Sequence, residues 1–475
     1  MIHVPPHIEV DRIEGRWMRR RTEGSEVADD AEPADEFGNG RRKSAMNNGL
    51  WSVAQQGITT GANSLLAFLL ILVLPVSQFG VYSYAITLVS IGTTVASGGL
   101  STLAVRFLHD EPHRGGHVVA VLLITKEMFA LAGYLVIVLV SLTSGTLETI
   151  AASLFAGLAL FARAGDGPEI WYRARMRSAE TALIRISVSV ALLAVRLLIM
   201  WIYPNLWVFI FLFVTESVVI AVTIFLKFVR DRSAPRLGRP MRGHAVQMTR
   251  SSFPLLLSGL ANQVNLRGDV VIIQTLMGAT AVGVYSAAAK ISELAYFLPV
   301  VFMNASFPIL LEIRKKHGAE SPIYLRYLQR SYDRAFWLGV VLMIVVAIAG
   351  TFVIDVFFGT EYELAKPVLW LSVVACPFVF MAAVYSKWIV AEGALWSSVV
   401  RNMTGAVANL ALNLVLIPYF GIVGSAFATL VSYIMASYVA CFFGKRTRIA
   451  AMHMSLAMIT PARFVYGKLK RLEGP

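Results

Sequence analysis

Residues 179–229 read AETALIRISVSVALLAVRLLIMWIYPNLWVFIFLFVTESVVIAVTIFLKFV. Two apolar runs, 179–201 and 207–229, flank the short connection Ile202-Tyr203-Pro204-Asn205-Leu206. About 20 apolar residues carry a helix across a bilayer core. Since lipid offers the backbone no hydrogen-bond partner, only a helix or a closed barrel can cross it. These runs are twice the length of a barrel strand, so the stretch predicts two membrane-spanning helices joined by a tight turn.

The same pattern extends in both directions. Upstream, apolar helical runs occupy 48–74, 80–105, 118–141 and 147–166; downstream they occupy 251–276, 283–311, 333–358, 364–388, 394–417 and 420–443. Composition agrees, with 57% hydrophobic and only 15% charged residues in 475, against about 25% charged in soluble proteins. A soluble globular enzyme is excluded. The expected fold is all-α, a polytopic membrane protein of twelve transmembrane helices.

The net charge of +13 fits nucleic acid, an anionic membrane surface or anionic substrates, so its distribution decides. Of 42 Lys and Arg, 36 fall in one alternating set of segments: 1–47, 106–117, 163–177, 227–250, 312–334, 387–401 and 445–475. The opposite connections hold one, Lys366, and five basic residues lie within spans. Cytoplasmic loops retain Lys and Arg, so both termini are expected in the cytoplasm. A miscounted span would have inverted the alternation beyond it. Trp51, Trp171, Trp201, Trp207, Trp337, Trp388 and Trp396 fall near span ends, as interfacial aromatics do. The excess charge reports topology, and no nucleic-acid partner is expected.

Residues 1–47 carry 10 acidic and 8 basic side chains and no apolar run. They read as a disordered cytoplasmic tail without a signal peptide. The remaining organisation is a six-helix lobe over 48–230, a basic linker over 231–250, a second six-helix lobe over 251–444 and a basic amphipathic tail over 445–475. That tail mixes Ile449, Met452, Leu456 and Ile459 with basic residues, a pattern that suits either the cytoplasmic membrane surface or a disordered tail. Cys376 and Cys441 lie in apolar runs and read as small core hydrophobes. Gly80-Val81-Tyr82-Ser83 recurs as Gly283-Val284-Tyr285-Ser286. An even number of spans separates the copies, so the lobes would be related by an axis along the membrane normal.

Ionisable residues within spans usually face a cavity or a partner. Arg267 and Asp269 in span seven, and Lys290 and Glu293 in span eight, lie at matching depths, about 10–15 Å from one surface at ~1.5 Å per residue. Asp269 could pair with Lys290 and Arg267 with Glu293, or a cation could leave its carboxylate to hold an anionic ligand. Arginine suits that role through its permanent, forked charge. Arg196 is too deep in span five to reach the surface easily, unlike Arg185. Lys126 and Glu127 are adjacent and point to different faces. Asn262, Asn265 and Asp269 share one helical face, and Asn402, Asn409 and Asn413 repeat the idea in span eleven. Such amides either cross-link helices or line a wet cavity. His109, His113 and His117 are interrupted by Pro112, Gly115 and Gly116; no metal is expected there. No phosphate-binding G-x-x-x-x-G-K-[ST] loop occurs, and no catalytic residue or cofactor is indicated.

Ser258-Gly259-Leu260 through Arg267-Gly268-Asp269 to Gly283-Val284-Tyr285-Ser286-Ala287-Ala288-Ala289-Lys290-Ile291-Ser292-Glu293 resembles the corresponding stretch of polysaccharide-biosynthesis flippases. These belong to the multidrug, oligosaccharidyl-lipid and polysaccharide exporter (MOP) superfamily. Gly61-Ala62-Asn63, Leu74-Pro75 and Phe79-Gly80-Val81-Tyr82 resemble the family's opening, and Asn413 to Pro418 with Gly421-Ile422-Val423-Gly424-Ser425-Ala426 its end. The resemblance spans about 45–443. It implies flipping of a polyprenyl-pyrophosphate-linked oligosaccharide across a bacterial inner membrane by rocking of the lobes, for exopolysaccharide or O-antigen synthesis. Polysaccharide polymerase and export machinery would be partners besides membrane lipids. The substrate candidates are then Arg267, Lys290, Arg196, Asn262, Asn265, Asn409, Asn413 and Asn63, with Asp269 and Glu293 for ion coupling. Two other readings compete. A cation-coupled multidrug exporter would want an acidic, aromatic cavity, and a membrane glycosyltransferase or polymerase would want larger outer loops than these.

Overall fold

The computed structural model describes residues 36–460 apart from 111, 241 and 445. The sequence expectations for 1–35 and 461–475 lie outside the described residues. The chain divides into a unit of residues 1–49 and a unit of residues 50–475. Regular structure among the described residues is entirely helical.

The first half holds α1 (Glu36–Val73), α2 (Val76–Ser97), α3 (Leu100–Asp110), α4 (Gly115–Ser141), α5 (Leu147–Gly157), α6 (Ala159–Ala164), α7 (Gly167–Ala174), α8 (Ser178–Ile202) and α9 (Leu206–Arg230). The second holds α10 (Arg242–Met277), α11 (Ala279–His317), α12 (Pro322–Val353), α13 (Ala365–Val374), α14 (Cys376–Glu392), α15 (Leu395–Ile434), α16 (Ala440–Phe443) and α17 (Arg448–Met458). α1 begins at Glu36, upstream of the apolar run that opens near residue 48. Extending an existing helix costs far less than nucleating one, so the apolar run propagates its helix upstream. Span four, expected as one helix, is broken into α5 and α6.

Local chemistry sets the ends. The Asn205 side chain accepts from the Trp207 N–H at 2.9 Å to open α9, and Ser321 accepts from the Tyr324 N–H at 3.2 Å to open α12. Each satisfies a donor that the first helical turn leaves free. At Gly421, φ is +57°, and the chain reverses there: Asn413 meets Ser425 and Asn409 meets Thr429. The two arms of α15 therefore lie antiparallel.

Among the described residues, nine helical segments are long and apolar enough to cross a membrane. The longest, Trp396–Phe443, contains the reversal at Gly421. Large apolar side chains face outward, with Leu139 67%, Leu198 60% and Ile348 64% exposed. Lys126, Arg196 and Asp269 are buried instead. A soluble protein would reverse this arrangement. The chain is a multi-pass membrane protein.

The repeated Gly-Val-Tyr-Ser motif acquires a physical reason where α2 meets α11. A Cβ on Gly80 would lie 1.8 Å from the Ala279 carbonyl oxygen, and one on Gly283 would lie 2.2 Å from that of Val76. The contacts are reciprocal, because Val76 and Gly80 occupy in the first copy the positions of Ala279 and Gly283 in the second. Two equivalent helices thus cross at glycines about a local two-fold axis.

The linker over 231–250 is strapped to the start of α4. The Gly238 N–H donates to the Gly116 carbonyl at 3.3 Å, and His117 Nδ1 lies 2.9 Å from the Arg239 carbonyl. Asp231 holds the strap's beginning, accepting from the Ser233 hydroxyl and N–H at 2.7 and 2.9 Å and from Tyr172 at 3.1 Å. At the other end of the chain, α17 rests on α12. Trp337 donates to the Ala457 carbonyl at 3.2 Å, and Gln329 to the His453 carbonyl at 3.1 Å. Ile449, Met452, Leu456 and Ile459 point away from it, 38–59% exposed.

Candidate functional site

The five intramembrane cations differ in how they are neutralised. Lys126 (α4) meets Asp166 at 2.5 Å, Arg185 (α8) pairs with Glu169 of α7, and Arg196 (α8) meets Glu216 of α9 at 2.8 Å. Arg196 also donates to the Leu212 carbonyl at 3.1 Å and is only 3% exposed. It ties α8 to α9 through Glu216. A lone Arg lowers its burial cost by taking the nearest carboxylate, and Glu216 faces it across the hairpin. Of the pair Lys126 and Glu127, Lys126 turns inward and Glu127 borders an apolar groove on α4. The sequence reading missed Asp166 and Glu169, which lie at and beyond its boundary for span four. Two acids within an Arg-rich stretch beside Pro168 were the available signal.

Arg267 (α10) and Lys290 (α11) are arranged differently, because they share one carboxylate. Arg267 Nη1 lies 2.6 Å from Glu293 Oε1, and Lys290 Nζ lies 2.8 Å from Glu293 Oε2. The three side chains are 26–32% exposed, two cations on one carboxylate, with Asp269 two residues from Arg267. The expected Asp269–Lys290 pair does not form. Lys290 and Glu293, three residues apart, share a face of α11, whereas Asp269 stands two residues from Arg267 and points off that face.

Asp269 is 3% exposed and forms no ion pair among the described residues. Tyr285 donates its hydroxyl to it, Thr429 does so at 3.4 Å, and the Val270 N–H does so at 2.8 Å. Asn409 donates to Thr429 at 3.3 Å, Asn413 to Asn409 Oδ1 at 3.1 Å, and Ser425 to Asn413 at 2.6 Å. These hydroxyls, amides and carboxylate form one connected network. Asn409 and Asn413 are fully buried and cross-link the arms of α15, the first of the two alternatives left open by the sequence. Asn265 is buried beside Gly405, and its Oδ1 has no partner among the described residues. Asn63 is exposed on α1.

Asn262 faces open volume. A cleft of about 400 Å³ lies between the end of α2, α3, α10 and the start of α15. Its polar lining comes from Ser97, Ser101, Ser258, Asn262 and Asn402. Asn402 donates to the Ser258 hydroxyl at 3.0 Å and to its carbonyl at 3.3 Å. Neutral donors and acceptors of this kind suit sugar hydroxyls. Among the described residues no three His, Cys, Asp or Glu are grouped to bind a metal.

The profile of the family described as polysaccharide biosynthesis protein matches residues 45–314. Among solved structures, the lipid II flippase MurJ in an inward closed conformation is 12% identical, with a TM-score of 0.67 over 86% of this chain and 91% of that one. An inward-facing multidrug resistance MATE family transporter of the MOP superfamily is 14% identical, with a TM-score of 0.66 over 84% and 98%. An outward-facing MATE transporter of the same superfamily is 17% identical, with a TM-score of 0.54 over 86% and 96%. No curated protein matches the sequence. The fold is that of the MOP transporters.

Proposed function

The chain belongs to the polysaccharide biosynthesis protein family, and from that premise we propose that it flips a polyprenyl-pyrophosphate-linked oligosaccharide from the cytoplasmic to the outer leaflet of a bacterial inner membrane. The similar folds are those of transporters and a flippase, not of enzymes. The observation that carries the substrate class is the pair Arg267 and Lys290 on the single carboxylate of Glu293. An entering pyrophosphate can replace or share that carboxylate, through a forked Arg and a mobile Lys. A multidrug exporter of cations would place its open charge at a carboxylate, whereas here two cations share one.

In this reading there are twelve spans in two lobes, 48–230 and 251–444. The nine apolar segments become twelve when the arms of α15 are separated and the more charged α10 and α11 are added. Both termini and the end of α2 near Ser97 then face the cytoplasm, and the two lobes rock about the crossing of α2 and α11. Asp269, held by hydroxyls and an amide N–H and by no cation, is the site at which a proton or sodium ion couples. Polymerase and export machinery receive the flipped unit.

Deleting the gene tests this in cells. Labelled lipid-linked repeat units are expected to accumulate in the inner leaflet. Normal delivery to the outer leaflet, in a strain lacking a paralogue, would contradict the proposal.

A further inference from the structure

Arg401 stands in the second turn of α15, where the sequence reading counted it as a loop charge. Its Nη1 donates to Ser386 on α14 at 3.2 Å, and its Nη2 to Asn402 Oδ1 at 3.2 Å. The guanidinium carbon lies 5.5 Å from the centre of the Tyr385 ring. All three partners are neutral. Its Nε is buried and unpartnered, and no described carboxylate pairs with it.

Lys126 provides the contrast on the opposite wall of the cleft. Its Nζ donates to Ser101 at 3.1 Å, but Asp166 neutralises it. Each wall therefore has a cation behind a polar lining residue, and only the one behind Asn402 keeps its charge. A desolvated ion without a counter-ion is costly, and that cost is relieved when an anion arrives.

Resting on the flippase reading, we propose that this cleft is a first docking station for the phosphate-bearing end of the substrate. The site is distinct from Arg267 and Lys290, and Arg401 supplies its charge through Asn402. Asn402 is the contact residue and Arg401 the positioning and charging residue. Ser97, Ser101, Ser258 and Asn262 offer hydroxyls and an amide to the sugar next to the phosphate. The shared chemistry is a phosphate ester beside hydroxyl groups, which an anionic phospholipid headgroup also presents.

The test uses the full chain in phosphatidylcholine nanodiscs, titrated with polyprenyl pyrophosphate, phosphatidylglycerol and inorganic pyrophosphate. Polyprenyl pyrophosphate should bind, inorganic pyrophosphate should compete with it, and phosphatidylglycerol should not. Arg401→Gln should weaken binding about tenfold or more, as loss of one charge-assisted contact does, and Arg401→Lys should restore part of it. Asn402→Asp places a carboxylate on Arg401 and gives up the donation to the Ser258 carbonyl, so it should weaken binding by neutralising the guanidinium. That variant keeps the test decisive if Arg401→Gln fails to fold. Unchanged affinity in Asn402→Asp would overturn the docking station and leave the flippase reading intact, provided Arg267→Ala still weakens binding. Equal binding of phosphatidylglycerol would make the cleft a headgroup site and overturn the proposal. A wild-type protein that binds no polyprenyl pyrophosphate would overturn the flippase reading with it.

Discussion

Arg267 and Arg196 are both deep arginines flanked by apolar sequence, yet they do different work because of what stands opposite. Arg196 meets Glu216, which Ser189 also contacts at 2.6 Å, and the pair is sealed. Arg267 must share Glu293 with Lys290. Depth along the helices was enough to anticipate the Arg267–Glu293 contact, since two helices joined by a short turn bring equal depths together. It was not enough for Asp269, because depth says nothing about which face a side chain takes relative to a third helix, here the far arm of α15. Outside the membrane, Asp231 shows how pairing governs a charge. The hydrogen bond from the Ser233 hydroxyl, with further help from its N–H, Tyr172 and Arg177, holds the carboxyl down from 3.8 to about 2. A depressed carboxyl stabilises the fold above its unfolded value and loses that contribution as pH falls through its folded value. The melting temperature of wild type should therefore exceed that of Asp231→Asn at neutral pH, with the gap closing between pH ~4 and ~2. A gap independent of pH would refute that role.

At the scale of helices, glycine marks where elements meet. Gly80 and Gly283 permit an approach that no other residue allows, because the added Cβ would strike backbone rather than a side chain that can move. Gly283→Ala should destabilise by about 1–3 kcal/mol, the usual cost of overpacking, with a lower melting temperature. An unchanged melting temperature would show that the crossing can open freely. The sequence displayed this contact as a four-residue repeat, but its meaning needed the reciprocal geometry. Several element ends were legible: Asn205 and Gly278 stand in the short breaks between apolar runs, where they cap the starts of α9 and α11, and Gly421 turns α15 back on itself. The break between α5 and α6 was not legible, since Leu158 sits in an unbroken apolar run with no proline to announce it.

Across the whole molecule, composition and the alternation of Lys and Arg were sufficient for a helical membrane protein. The family profile and the MOP fold agree with that reading. The site was only partly legible, because sequence lists buried charges without saying which are already neutralised. Lys126, Arg185 and Arg196 each meet a different carboxylate, whereas Arg267 and Lys290 share one and Arg401 meets none among the described residues. The central claim is that Arg267 and Lys290 carry an anionic lipid-linked sugar across the membrane. Translocation of a labelled polyprenyl-pyrophosphate oligosaccharide by purified protein in liposomes tests it most directly. The account predicts transfer between leaflets by wild type and a loss of about tenfold or more in Arg267→Ala and Lys290→Ala, as expected for a charge-assisted contact. Absence of transfer by folded wild-type protein, or undiminished transfer by both variants, would contradict it.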